Sequence, residues 1–134
     1  MKTFIFSFVS ALLSLFVIDF FWLTTMSKKF YSKHIGFIIS DSPNLIAAGF
    51  FYLIYCLGIV FFVVLPSIQN NYSLTRVFLQ GFLFGLVAYA TYDLTNHATI
   101  KNWPLIVTLV DLSWGALLTG VVGLASFYIT KNFT

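Results

Sequence analysis

Three of the four acidic residues, Asp19, Asp93 and Asp111, fall inside stretches otherwise suited to lipid. Near the centre of a membrane helix each costs roughly 2.5–3.5 kcal/mol on insertion scales. A carboxylate kept in so dry a place pairs with something: a cation, a proton or the polar part of a ligand. Two of them share a local pattern, Asp19-x-x-Trp22 and Asp111-x-x-Trp114. A spacing of three puts both side chains on adjoining parts of one helix face. There an indole N–H can donate to a carboxylate. The third belongs to a stripe, Tyr89, Asp93, Asn96 and His97, that repeats with helical period. The candidate site therefore has Asp19, Asp93 and Asp111 as charge carriers, shaped by Trp22, Trp114, Tyr89 and Asn96. Asn44, on one face with Ala48, Tyr52 and Tyr55, is a further candidate, and Thr108, Gly115 and Thr119 share a face with Asp111.

The elements that hold these residues are set by hydropathy. Sixty per cent of the 134 residues are hydrophobic and 8% are charged, against about 25% charged in a soluble domain. A chain of this length is one folding unit, a single transmembrane domain over residues 1–134. Four segments reach the roughly 20 residues that a helix needs to cross the hydrocarbon: about 3–26, 44–65, 74–98 and 104–128. Backbone groups cannot stay unpaired in lipid, so spans of this length are helices. The fold class is an all-α integral membrane four-helix bundle. The start, Met1-Lys2 and an apolar run, resembles a signal peptide, but no small-residue cleavage site follows, so it reads as a retained first span.

Boundary signals agree. Asp41-Ser42-Pro43-Asn44 offers a cap to the second helix and Ser73 one to the third, while Asn102 with Pro104 starts the fourth. Pro66 is expected to close the second helix. Short links make sequential helices antiparallel neighbours. In the long connection, residues 27–42, Lys28, Lys29 and Lys33 alternate with Phe30, Tyr31, Ile35, Phe37 and Ile38. That pattern predicts a short amphipathic helix lying at the headgroups. The side bearing Lys28, Lys29, Lys33 and Lys101 is the one that the positive-inside rule favours as cytoplasmic.

With these spans, Asp19 lies seven residues before the end of the first helix and Asp111 seven after the start of the fourth. At about 1.5 Å per residue both are roughly 10 Å from the same membrane face. Asp93, near the end of the third helix, is close to that face too. Like charges at one depth repel unless a proton or a cation comes between them. The competing structural reading has the aspartates fix helix register through bonds to Trp, Tyr, Asn and Thr. Ser7, Ser10 and Ser14 point well away from Asp19 and read as helix packing. Gly81-x-x-x-Gly85 and Gly115-x-x-x-Thr119-x-x-x-Gly123 permit close helix approach, within one chain or in a homodimer.

Several classes are excluded or left without support. One cysteine, Cys56, makes an intrachain disulfide impossible. The net charge of +3 has no basic cluster behind it, so nucleic acid is not an expected partner; membrane lipids are. A metal could use Asp93, His97 and Asp111, but no ligand motif such as His-Glu-x-x-His supports it. No phosphate loop, Gly-x-Ser-x-Gly elbow or Cys-x-x-Cys occurs, and no cofactor is expected.

The polar segments also carry a resemblance. Residues 89–96, Tyr-Ala-Thr-Tyr-Asp-Leu-Thr-Asn, followed by Ala98-Thr99, Trp103-Pro104 and Thr108-x-x-Asp111-x-x-Trp114-Gly115, resemble a family of small bacterial predicted membrane proteins classed as a domain of unknown function. Asp19-x-x-Trp22-Leu23, Phe30-Tyr31 and Asn44-Leu45-x-Ala47-Ala48-x-x-Phe51-Tyr52-Leu53 fit the same pattern, whereas His97 stands where it has an apolar residue. The resemblance implies a four-helix protein of the bacterial inner membrane, and it implies no activity. Three functional readings stay open. The first is binding or translocation of a small cation, proton or polar ligand through the aspartate layer, for which four helices suggest a dimer. The others are a membrane-embedded enzyme acting on lipid or isoprenoid substrates, and a small accessory subunit of a membrane complex.

Overall fold

The computed structural model describes residues 1–134, entirely helical apart from short turns. Four helices are long and apolar enough to cross a membrane: α1 (Lys2–Ile35), α2 (Leu45–Gln69), α3 (Leu74–Thr99) and α4 (Leu105–Phe133). Large apolar side chains such as Phe16, Phe21, Phe50, Phe62, Leu83 and Leu117 face outward. In water that surface would aggregate; in a bilayer it is the solvated face. The protein is a multi-pass membrane protein.

α4 is the central helix. Half of its most apolar stretch is buried, against 22% for α3. α3 packs along it through small residues: a side chain at Gly81 would place Cβ 2.7 Å from the Thr119 carbonyl oxygen, and one at Gly85 would run into the Gly115 carbonyl. Such close approach maximises dispersion contact where no hydrophobic force drives helices together. The glycine ridge is thus taken up inside the monomer. α1 lies along another side of α4, and the first half of α2 leans on α1. Leu15, Cys56, Ile59, Val63, Val77, Leu118 and Val122 form the apolar centre, with the Cys56 thiol fully enclosed.

Ser7 and Ser10 are buried against α4, Ser7 Oγ 3.2 Å from Thr130 Oγ1 and Ser10 Oγ 3.0 Å from Ser126 Oγ. Ser126 Oγ also donates to the Ser7 carbonyl at 2.9 Å. The serine stripe is therefore helix packing, reinforced by cross-helix hydrogen bonds.

Two helices run on where the sequence predicts a stop. Residues Ser27–Tyr31 form a π-helical turn that carries α1 on into Ser32–Ile35. The expected short helix is not set apart from α1 but continues it. Ile35 instead packs with Trp103 and Val107 into a small second core beside Phe30 and Tyr31. Likewise Pro66 does not end α2. A π-helical turn at Val60–Val64 shifts the hydrogen-bond register just ahead of it, leaving proline in the first turn of Leu65–Gln69. There its missing N–H is tolerated. The capping residues also differ in part. Asn44 itself caps α2, its Oδ1 accepting from the backbone N–H of Ile46 and Ala47 at 3.1 and 3.0 Å. Ser73 caps α3 as expected. Asn102 is no cap: it takes a left-handed conformation, φ 63°, in the turn before Pro104.

Candidate functional site

Asp19, Asp93 and Asp111 all point into the bundle, exposed by 7, 0 and 8%. They occupy one end of it, the end of the long connection. They do not form one cluster. Two subsites are joined through aromatic side chains.

The first is built around Asp19. Tyr52 Oη donates to Asp19 Oδ2 at 2.5 Å and Trp114 Nε1 donates to Oδ1 at 3.3 Å. α1 supplies the carboxyl, and α2 and α4 the donors. All its protein partners are neutral.

The second pairs Asp111 with Asp93. Tyr31 Oη donates to Asp111 Oδ1, and Trp22 Nε1 donates in turn to Tyr31 Oη at 3.1 Å. The Asp93 and Asp111 carboxyls are close enough to act on each other electrostatically. Both Asp93 oxygens are buried and receive no donor from the rest of the protein. Below them Trp103 Nε1 donates to Thr108 Oγ1 at 3.0 Å, and Thr108 Oγ1 to the Asp93 carbonyl at 3.4 Å. These bonds fix the α3 backbone and leave the carboxyl untouched.

The Trp22 and Trp114 rings stack at 4.1 Å, 7° from parallel, and tie the subsites together. The spacing of three predicts each indole beside the aspartate of its own helix. The indoles cross over instead: Trp114 of α4 serves Asp19 of α1, and Trp22 of α1 serves Asp111 of α4 through Tyr31. The Trp114 N–H points to the opposite helix, whereas the Trp22 N–H stays on its own helix at Tyr31, whose hydroxyl makes the crossing to Asp111.

The remaining candidates are placed as follows. Tyr89 packs its ring where a side chain on Gly115 would have to sit. Its ring also stands edge-on to Tyr55 at 6.4 Å. Asn96 is half-buried on α3. Asn44 is exposed at the start of α2, occupied as a helix cap, and is not brought to the aspartates. His97 is exposed at the end of α3, and no group of three or more His, Cys, Asp or Glu residues is placed to hold a metal ion.

Tyr31 was not among the candidates, although it is the bridge. Nine residues from Trp22, at about 100° each, would place it half a turn away on an unbroken α-helix. The π-helical turn rotates it inward. Tyr55, seen only as part of a face, holds Thr119 Oγ1 at 2.6 Å and stands edge-on to Tyr89 at 6.4 Å.

Residues 4–128 match the family described as "Predicted membrane protein (DUF2177)". The chain belongs to this family. As a DUF2177 protein it takes from the family a membrane location and no assigned activity. No curated protein and no solved structure matches it.

Proposed function

We propose that this DUF2177 protein binds a small cation, a proton or a cationic ligand at the Asp93–Asp111 pair, as a binding or translocation step in the bacterial inner membrane. One observation carries the reading: Asp93 is fully buried, lies against a second carboxyl, and has no donor for either oxygen. An uncompensated buried carboxylate costs several kcal/mol by the usual measure of ion desolvation, and a second one beside it raises that cost. The donors given to Asp19 and Asp111 are phenol and indole groups, which supply no positive charge. The neutralising charge therefore comes from outside the fold.

A structural role would distribute donors over all three carboxyls, as the bundle does for Asp19. It leaves Asp93 bare.

The test is infrared difference spectroscopy of the carboxyl region on protein in lipid nanodiscs, exchanging choline for sodium or methylammonium and changing pH. The expected result is a carboxyl band change that Asp93→Asn and Asp111→Asn each abolish and Asn44→Ala retains. A spectrum insensitive to all three exchanges, or a response untouched by either aspartate substitution, would remove the reading.

A further inference from the structure

The backbones of α2 and α3 come closest near the turn that joins them; farther along they meet through aromatic side chains, Phe84 lying against Tyr55 and Phe62. Near that turn Ser67 Oγ, which donates to the Val63 carbonyl at 2.6 Å, lies 3.3 Å from the Gln80 side-chain amide, and the π-helical turn Val60–Val64 touches α3. Toward the aspartate end the backbone of α2 follows α1 instead, and the space between α2 and α3 is a groove of about 560 Å³. That volume is in the range, roughly 300–1,000 Å³, of small-molecule sites. Its walls are apolar: Phe51, Ile54, Phe61 and Phe62 from α2, Phe84 and Ala88 from α3. Gly58 keeps one wall thin, since a Cβ there would come 2.7 Å from Phe84 Cζ.

The groove does not end blindly. Its inner wall includes Tyr55, whose ring is edge-on to Tyr89. Tyr89 follows Ala88, packs against Gly115 and stands one helical turn before Asp93. Tyr52, the Asp19 donor, follows Phe51 of the same groove. An apolar groove open to acyl chains thus reaches Tyr55, with Tyr89 behind it, on the near side of carboxyls that have no cationic partners. One molecule matches both parts, a hydrocarbon chain ending in a cation.

Resting on the cation-binding reading above, we infer that the ligand is a membrane-dissolved amphipathic amine, its chain in the α2–α3 groove and its ammonium group at the aspartates. Charge complementarity selects this occupant over an ordinary phospholipid, whose phosphate would be repelled by the carboxyls.

The probes are dodecylamine, dodecanol and methylamine, with the full chain in maltoside micelles. Bound dodecyl probe is counted by native mass spectrometry, and methylammonium is followed by the carboxyl infrared change. Dodecylamine is expected to bind at least ten-fold more tightly than dodecanol. Filling the groove with Ala88→Phe or, independently, Gly58→Leu is expected to weaken dodecylamine at least ten-fold with the methylammonium response intact. Asp93→Asn should weaken both amines. If both groove variants bind dodecylamine like wild type, or dodecanol binds as well as dodecylamine, the inference fails while the cation site stands. Loss of the methylammonium response in both groove variants also overturns it, because groove and site would not be separable. An Asp93→Asn variant that binds both amines normally overturns the inference and the underlying reading together.

Discussion

Trp114 donates its indole N–H to Asp19, 3.3 Å away on another helix, and not to Asp111 one turn earlier on its own. The partner indole, Trp22, is stacked on it at 4.1 Å and faces the other way, toward Tyr31 and Asp111. Each aromatic ring therefore holds α1 and α4 in register as well as shaping a pocket.

Replacing Trp114 by Phe keeps an aromatic ring on Trp22 but removes the N–H from Asp19. Interhelical hydrogen bonds in membranes contribute about 0.6 kcal/mol on average and at most about 1.7. A loss of about 1 kcal/mol is expected in reversible unfolding in mixed micelles. Trp114→Ala, which also removes the stack, should lose at least twice as much.

Tyr31→Phe takes away the donor to Asp111 and the acceptor of Trp22 in one step. The carboxyl it leaves is buried, so a cost of about 1–3 kcal/mol is expected. The effect should be local. Amide exchange over residues 27–35 should accelerate while the Ser7–Ser126 end keeps its protection.

Asp93→Asn behaves in the opposite sense. The amide removes an unpartnered charge and presents an N–H to Asp111, so melting temperature should hold or rise while the cation response disappears. A variant that unfolds would mark Asp93 as structural.

Two glycines, Gly85 of α3 and Gly49 of α2, separate contact from conformation. Gly85→Ala drives a methyl into the Gly115 carbonyl and should cost about 1–3 kcal/mol, in the range of overpacked cores. Gly49, with nothing within 4 Å of a built Cβ, should accept alanine with a gain of up to about 1 kcal/mol from helix propensity. Thermal unfolding of the pair in one detergent makes the comparison.

Asn44→Ala removes two capping bonds from an exposed helix start. A loss of about 0.5–2 kcal/mol is expected, with the infrared response of the aspartates unchanged.

The spans, the aspartates and the glycine ridge are all legible in the sequence, because each breaks composition or repeats with helical period. Tyr31 is not, since its position depends on a π-helical turn within Ser27–Tyr31. Period counting assumes an even turn and puts the side chain on the wrong side. The second π turn, at Val60–Val64, is written in valine and phenylalanine alone. Only Pro66 hints at it, and proline reads first as a stop. The crossed indoles escape for another reason. A spacing of three states which side chains are neighbours on one helix, but the bond is decided by the ring stacked from the next. Asn44 lies on the face of Tyr52 and Tyr55, yet at the first turn backbone N–H groups claim its side chain.

The serine and threonine contacts near Ser7 and Thr130 bear on motion at the far end of the molecule. They clamp α1 to α4 there, while the stacked indoles fasten the same two helices at the aspartates. Bolted at both extremities, that pair forms a stator. The two donors to Asp19 therefore come from different bodies, Trp114 from this fixed pair and the Tyr52 hydroxyl from α2 beside it.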